Sequence, residues 1–132
     1  PHTPVASGWL RASHRKLDID RSEEWAPFHT HDLEEPLEPG QVYELDIEIH
    51  ASGMVIPKGY RFALSIRGRD YVYPGEPDAG LSNMKNQFTG VGPFLHDDPD
   101  NRPAGIFKNN VTVHIGPDRA GYLLLPIIPP KS

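Results

Sequence analysis

Two runs of alternating apolar and polar positions stand out along the chain. In residues 41–50 the odd positions Tyr43, Leu45, Ile47 and Ile49 are apolar, and Glu44, Asp46, Glu48 and His50 separate them. A period of two predicts a half-buried strand. In residues 60–67 the apolar set is Tyr60, Phe62, Leu64 and Ile66, with Arg61, Ser65 and Arg67 between them, which predicts a second strand. The connection Ala51-Ser52-Gly53-Met54-Val55-Ile56-Pro57-Lys58-Gly59 is too long for a two-residue hairpin and too apolar for a simple solvent loop. Glu38-Pro39-Gly40 is a turn signal that launches the first of these strands.

The alternation returns near the end, where Val111, Val113 and Ile115 share one face. Gly116-Pro117-Asp118-Arg119-Ala120-Gly121 is the connecting turn. The final run Tyr122-Leu123-Leu124-Leu125-Pro126-Ile127-Ile128 is apolar on both faces, so it is either covered on both sides or an edge or interface strand bent at Pro126. The rest is less regular. Residues 8–15 read as a short strand. Residues 16–39 carry many carboxylates broken by Pro27, Pro36 and Pro39, and read as an acidic surface connection with one helical turn near 22–25. Residues 68–110 form a long stretch rich in Gly, Pro, Asp and Asn with no sustained period, a length that in compact domains tends to be functional or to cover a neighbour.

Strands separated by turns, with hardly any helical period, predict an all-β sandwich or barrel of five or six strands in one domain, residues 1–132. An eight-stranded jelly roll would be two or three strands short. In such a fold the row Tyr43, Leu45, Ile47 and Ile49 packs on Phe62, Leu64, Ile66 and the terminal leucines.

Composition narrows the function classes. The 132 residues hold 15 prolines, 12 glycines and 37% hydrophobic residues, so much of the chain must be turn and loop. The net charge of −5 and the lack of any Lys/Arg run argue against a nucleic-acid partner. With no cysteine, disulfides and thiolate chemistry are excluded. No apolar run nears the roughly 20 residues needed to span a bilayer, which predicts a soluble protein without a membrane partner, placed in the cytoplasm. The opening Pro1-His2-Thr3-Pro4 has no initiator methionine, as expected of a piece of a longer protein or one that has lost a leader.

Candidate chemistry is sparse. Gly80-Leu81-Ser82-Asn83-Met84 lacks the second glycine of a nucleophile elbow, so Ser82 reads as a loop serine. His29 and His31, spaced i, i+2, would point the same way on a strand and could share a metal. With Glu35 and Pro57-Lys58-Gly59 they resemble the two metal-binding motifs of cupins. The match breaks at Glu23 and Phe62, where those motifs need a glycine and a histidine, and a surface or interface pair of imidazoles is favoured. His96-Asp97-Asp98 with Asp100 offers oxygens for Ca²⁺, but an Asx-type turn explains it better. Arg67-Gly68-Arg69-Asp70-Tyr71 could take an anion, with an Arg–Asp ion pair fixing the loop as the default. His14 and His114 have no adjacent nucleophile. Trp9 reads as a core or interface aromatic. No catalytic, cofactor or metal residue is assigned.

A family resemblance adds what composition cannot. Gly8-Trp9-Leu10-Arg11-Ala12-Ser13-His14-Arg15-Lys16-Leu17-Asp18 resembles a signature of the C-terminal domain of X-Pro dipeptidyl-peptidase and cocaine-esterase-like serine hydrolases. His29-Thr30-His31-Asp32, Leu37-Glu38-Pro39-Gly40, Glu44-Leu45-Asp46-Ile47-Glu48-Ile49 and Pro57-Lys58-Gly59-Tyr60-Arg61 follow in order. Gly90-Val91-Gly92-Pro93-Phe94-Leu95-His96-Asp97-Asp98 and the terminal Tyr122-Leu123-Leu124-Leu125-Pro126-Ile127-Ile128-Pro129 complete the set. The resemblance implies a non-catalytic jelly roll, galactose-binding-like in fold, whose first strands are missing. It further implies an α/β-hydrolase catalytic domain as partner, carrying the Ser, Asp and His of an acyl-serine esterase, acylase or peptidase, with this domain supporting it and its long loop lining the substrate cleft. An isolated piece would self-associate or complete its sheets with another chain. Two other classes compete: a stand-alone carbohydrate- or small-ligand-binding module using Trp25, Tyr71 and Tyr73, and a cupin-like metalloprotein.

Overall fold

A computed structural model describes residues 4–71, 96 and 98–129. The Gly80-Leu81-Ser82-Asn83-Met84 segment, Tyr73, Asp97 and the Gly90-Val91-Gly92-Pro93-Phe94-Leu95 run lie outside the described residues. The chain forms two compact units, Pro1–Asp98 and Pro99–Ser132.

In the first unit the order is built by residues 7–50. A 3-10 turn at Ala12–His14, closed by the His14 amide on the Arg11 carbonyl (2.8 Å), interrupts the strand expected over residues 8–15. Arg15 fixes this bend: its guanidinium donates to the Ala12 carbonyl at 3.2 Å and to the Glu35 carbonyl at 2.6 Å, and it stacks 4.4 Å from the centre of the Tyr43 ring. Beyond the bend the chain pairs with residues expected to be a plain surface connection. Leu17 and His29 form an antiparallel bridge, flanked by Asp18 N–H to Phe28 O (2.9 Å) and Thr30 N–H to Lys16 O (3.1 Å). Pro27 does not obstruct the pairing, because the bonds fall on Phe28 and Thr30 and need no N–H from the proline.

Where one turn of helix was expected at residues 22–25, Glu23 and Ala26 instead exchange both backbone hydrogen bonds, 3.1 and 3.0 Å, around a tight reversal that presents Trp25. Asp18 and Ser22 hold its base. The Asp18 carboxylate accepts the Asp20 and Arg21 amides, while the Ser22 hydroxyl donates to the Asp18 carbonyl and accepts the Phe28 amide. These are the residue types that compete with the backbone for its own hydrogen bonds, which is why the chain bends here.

Two further turns follow their sequence signals. The Gln41 amide reaches the Glu38 carbonyl at 3.1 Å with Gly40 at φ 81°, a left-handed conformation that a side chain disfavours. The Tyr60 amide reaches the Pro57 carbonyl at 3.1 Å. Between and beyond these turns residues 41–56 and 60–67 have no regular ladder, and their apolar rows stand partly open: Leu45 is 39% and Leu64 53% exposed. Among the described residues no hydrophobic side chain is fully buried.

The second unit contains a short helix, Ala104–Phe107, inside the stretch expected to be irregular. Asn109 donates to the Gly105 and Ile106 carbonyls and caps its C-terminal end. Gly116 and Arg119 bridge across the turn read at residues 116–121, with Arg119 N–H to Gly116 O at 3.1 Å.

Candidate functional site

The first unit gathers its imidazoles around Trp9. The cause is a close crossing: the His50 amide donates to the Ser7 carbonyl at 3.0 Å, and Gly8 lies against Glu48. A Cβ on Gly8 would overlap the Glu48 carbonyl oxygen and come within 2.9 Å of its carbon, so this approach requires glycine. The crossing sets the Trp9 ring edge-on to His50, centroids 5.4 Å apart, and 5.9 Å from His96.

A cavity of about 180 Å³ opens beside this crossing, lined by Trp9, Leu10, Arg11, His29, His31, Glu48 and His50. His29 and His31 lie 6.0 Å apart and His31 is 5.5 Å from His14, so three imidazoles form a row. His31 takes a left-handed backbone, φ 52°, a conformation that histidine tolerates better than most residues. The Nε2 of His29 and the Nδ1 of His14 are buried without a hydrogen-bond partner. Burial, then the neighbouring His31, lower the pKa of His29 from its ordinary value, against the opposing pull of the Asp46 carbonyl and the Asp46 and Glu48 carboxylates. Among the described residues no three His, Asp or Glu groups converge to hold a metal ion. Glu35, which the cupin comparison would recruit, faces Arg15, whose guanidinium donates to its backbone carbonyl at 2.6 Å and lies 4.0 Å from its carboxylate.

A second feature joins residues far apart in sequence. The Asp70 carboxylate, 8% exposed, accepts the His96 amide at 2.7 Å on one oxygen and the His96 ring Nδ1 at 2.9 Å on the other. Burial acts to raise the Asp70 pKa, but the His96 amide, ring and charge and the Trp9 indole outweigh it and hold the carboxyl below its ordinary range. Asp70 thus takes His96 where an arginine was the expected partner. Arg67 donates to the Ser65 hydroxyl at 2.8 Å and stacks 4.8 Å from the centre of the Tyr71 ring. His96, read from sequence as part of a turn or cation cluster, acts as a tie. Nothing in the local spacing signals this, because the partners are 26 residues apart.

The remaining candidates are occupied locally. His114 Nδ1 lies 3.2 Å from Arg119 Nη1, and since the guanidinium can only donate, the imidazole nitrogen accepts. The Ser13, Ser22 and Ser65 hydroxyls meet Glu34, Asp18 with Phe28, and Arg67, so none of these contacts is the hydroxyl–imidazole pair of an activated nucleophile. Lys16 pairs with Asp32 at 2.9 Å, and the Thr30 hydroxyl donates to the same carboxylate. These two bonds, the Thr30 one foremost, lower the Asp32 pKa. Of the aromatics weighed as a sugar platform, Trp25 is open at its turn, whereas Tyr71 lies half-buried under Arg67.

No curated protein and no solved structure matches the chain. Residues 1–124 match the family model of the X-Pro dipeptidyl-peptidase C-terminal non-catalytic domain. The match spans the Gly8 crossing, the imidazole row and the Asp70–His96 tie alike, and the chain belongs to the family of X-Pro dipeptidyl-peptidase C-terminal non-catalytic domains.

Proposed function

We propose that this chain is the supporting β-sandwich of an α/β-hydrolase-type serine hydrolase, jelly-roll and galactose-binding-like in fold, and that the chemistry is done by a catalytic domain of the same protein. The observation that carries this reading is the family match over residues 1–124. The alternation in residues 41–50 and 60–67 and the antiparallel pairing of Leu17 with His29 support the β-sandwich part.

In that protein a serine hydroxyl attacks the carbonyl carbon of an ester or amide, its proton passes to a histidine, and the leaving alcohol or amine departs from the tetrahedral intermediate. Water then cleaves the acyl-serine. The reaction class covers esterase, acylase and X-Pro dipeptidyl-peptidase activity. This chain supplies none of the triad. It buttresses the catalytic domain, and residues 68–110 border the substrate cleft, where such long connections commonly carry specificity.

Labelling with a fluorophosphonate tests the assignment. The full-length protein should be labelled on one serine, and peptide mapping should place that serine outside this chain. Adduct on Ser7, Ser13, Ser22, Ser52, Ser65, Ser82 or Ser132 would overturn the non-catalytic reading.

A further inference from the structure

We propose that Asp70 closes a clasp, with Trp9 and His96, between positions 70 and 96 of the chain. Three observations carry it. First, Asp70 and His96 are 26 residues apart in sequence, and their contact is double, through the His96 backbone amide at 2.7 Å and the ring at 2.9 Å. A contact through the backbone amide fixes the path of the chain itself, which a side-chain contact alone would not. Second, the carboxylate is 8% exposed, so it is withdrawn from water and depends on its protein donors. Third, the Trp9 ring packs on the His96 ring with centroids 5.9 Å apart, so the imidazole end of the contact is also held from its face.

Trp9 is in turn held by the Gly8 crossing, since Ser7 bonds His50 and Gly8 abuts Glu48. The clasp therefore ties positions 70 and 96 to residues 7–9 and, through them, to residues 48–50. The contact does not depend on a charged imidazole. A neutral His96 carrying its proton on Nδ1 donates to Asp70 as an imidazolium does, and the backbone amide donates at any pH. Opening requires loss of acceptor capacity at Asp70, which is partial on protonation and complete on substitution by alanine.

The clasp predicts coupling between segments distant in sequence. In the full-length protein, Asp70→Ala, His96→Ala and the double variant are compared by hydrogen–deuterium exchange, read on the peptides that contain Trp9, Asp70 and His96. Asp70→Ala, which removes both contacts, should raise exchange on all three peptides by about tenfold, the scale of a charge-assisted hydrogen bond, whereas His96→Ala, which keeps the backbone-amide contact, should raise it less. The double variant should add almost nothing to Asp70→Ala. Asp70→Asn keeps an acceptor for the His96 amide and should give an intermediate effect, which keeps the test readable if the alanine variants unfold. Exchange that rises only on the substituted peptide, effects that add in the double variant, or Asp70→Asn equal to Asp70→Ala would each overturn the clasp.

Discussion

At the scale of single residues, the most constrained position is Gly8. Its neighbour across the crossing is backbone, the Glu48 carbonyl, and backbone cannot rotate away as the tip of a side chain can. Gly8→Ala should therefore force the strands of chain apart, weaken the Ser7–His50 hydrogen bond and displace Trp9, at a cost of about 1–3 kcal/mol. Urea unfolding monitored by tryptophan fluorescence checks this: a midpoint equal to that of the unaltered protein would refute it. By contrast, Lys16 and Asp32 form an ion pair that is well exposed on both sides and is screened by water and salt, so the short distance does not make it a major contributor.

At the scale of the element, the pairing of residues 16–18 with 28–30 carries a pH dependence. The folded state holds His29 below its ordinary pKa of 6.5, so the folded chain binds fewer protons there than the unfolded one. The stabilisation that His29 receives from being neutral is present above about pH 6.5 and is lost as pH falls through that value toward the lower folded pKa. His31→Asn removes the second cause of the shift while leaving burial, and the His29 pKa should move up toward 6.5 in an NMR titration of its ring protons. An unchanged His29 titration would exclude His31 as a cause.

The same element shows what the sequence could and could not announce. The turns at residues 38–41 and 116–119 were legible, since Pro39-Gly40 and Gly116-Pro117-Asp118 carry their dihedral preferences within the residues that turn. Residues 16–39 misled because acidic composition and three prolines suggest a solvated connection, whereas the pairing joins residues 16–18, ahead of all three prolines, to residues 28–30, between Pro27 and Pro36. The helical turn expected at 22–25 yielded to Asp18 and Ser22, whose side chains hold the reversal from outside it. The gathering of Trp9, Asp70 and His96 was not legible at all. Asp70 and His96 are 26 residues apart, Trp9 is placed by the close crossing at Gly8, and no local period records which distant segment such a residue will meet.

At the scale of the whole molecule, the family assignment and the open apolar rows bear on each other. Val55, Ile127 and Ile128 are each about 87–90% exposed, and Val111 and Ile115 more than three-quarters. So much uncovered aliphatic surface is characteristic of a surface meant to be covered. The isolated 132-residue chain should therefore bind the dye ANS and grow in mass with concentration in light scattering, and should lose both properties when joined to its catalytic domain. A chain that stays monomeric and dye-free at high concentration would contradict this. Recognition of the family from sequence succeeded where composition was silent because ordered motifs spread from Gly8 to Pro129 add up, even when each one alone is short.

The tie between Asp70 and His96 also bears on how the protein can vary. The contact holds two positions 26 residues apart in sequence against each other. Closing a longer loop is entropically cheap, about 0.6 kcal/mol for each doubling of length. Members of the family that differ in the number of residues between these two positions can thus keep the same aspartate–histidine tie, because the contact itself does not specify that number.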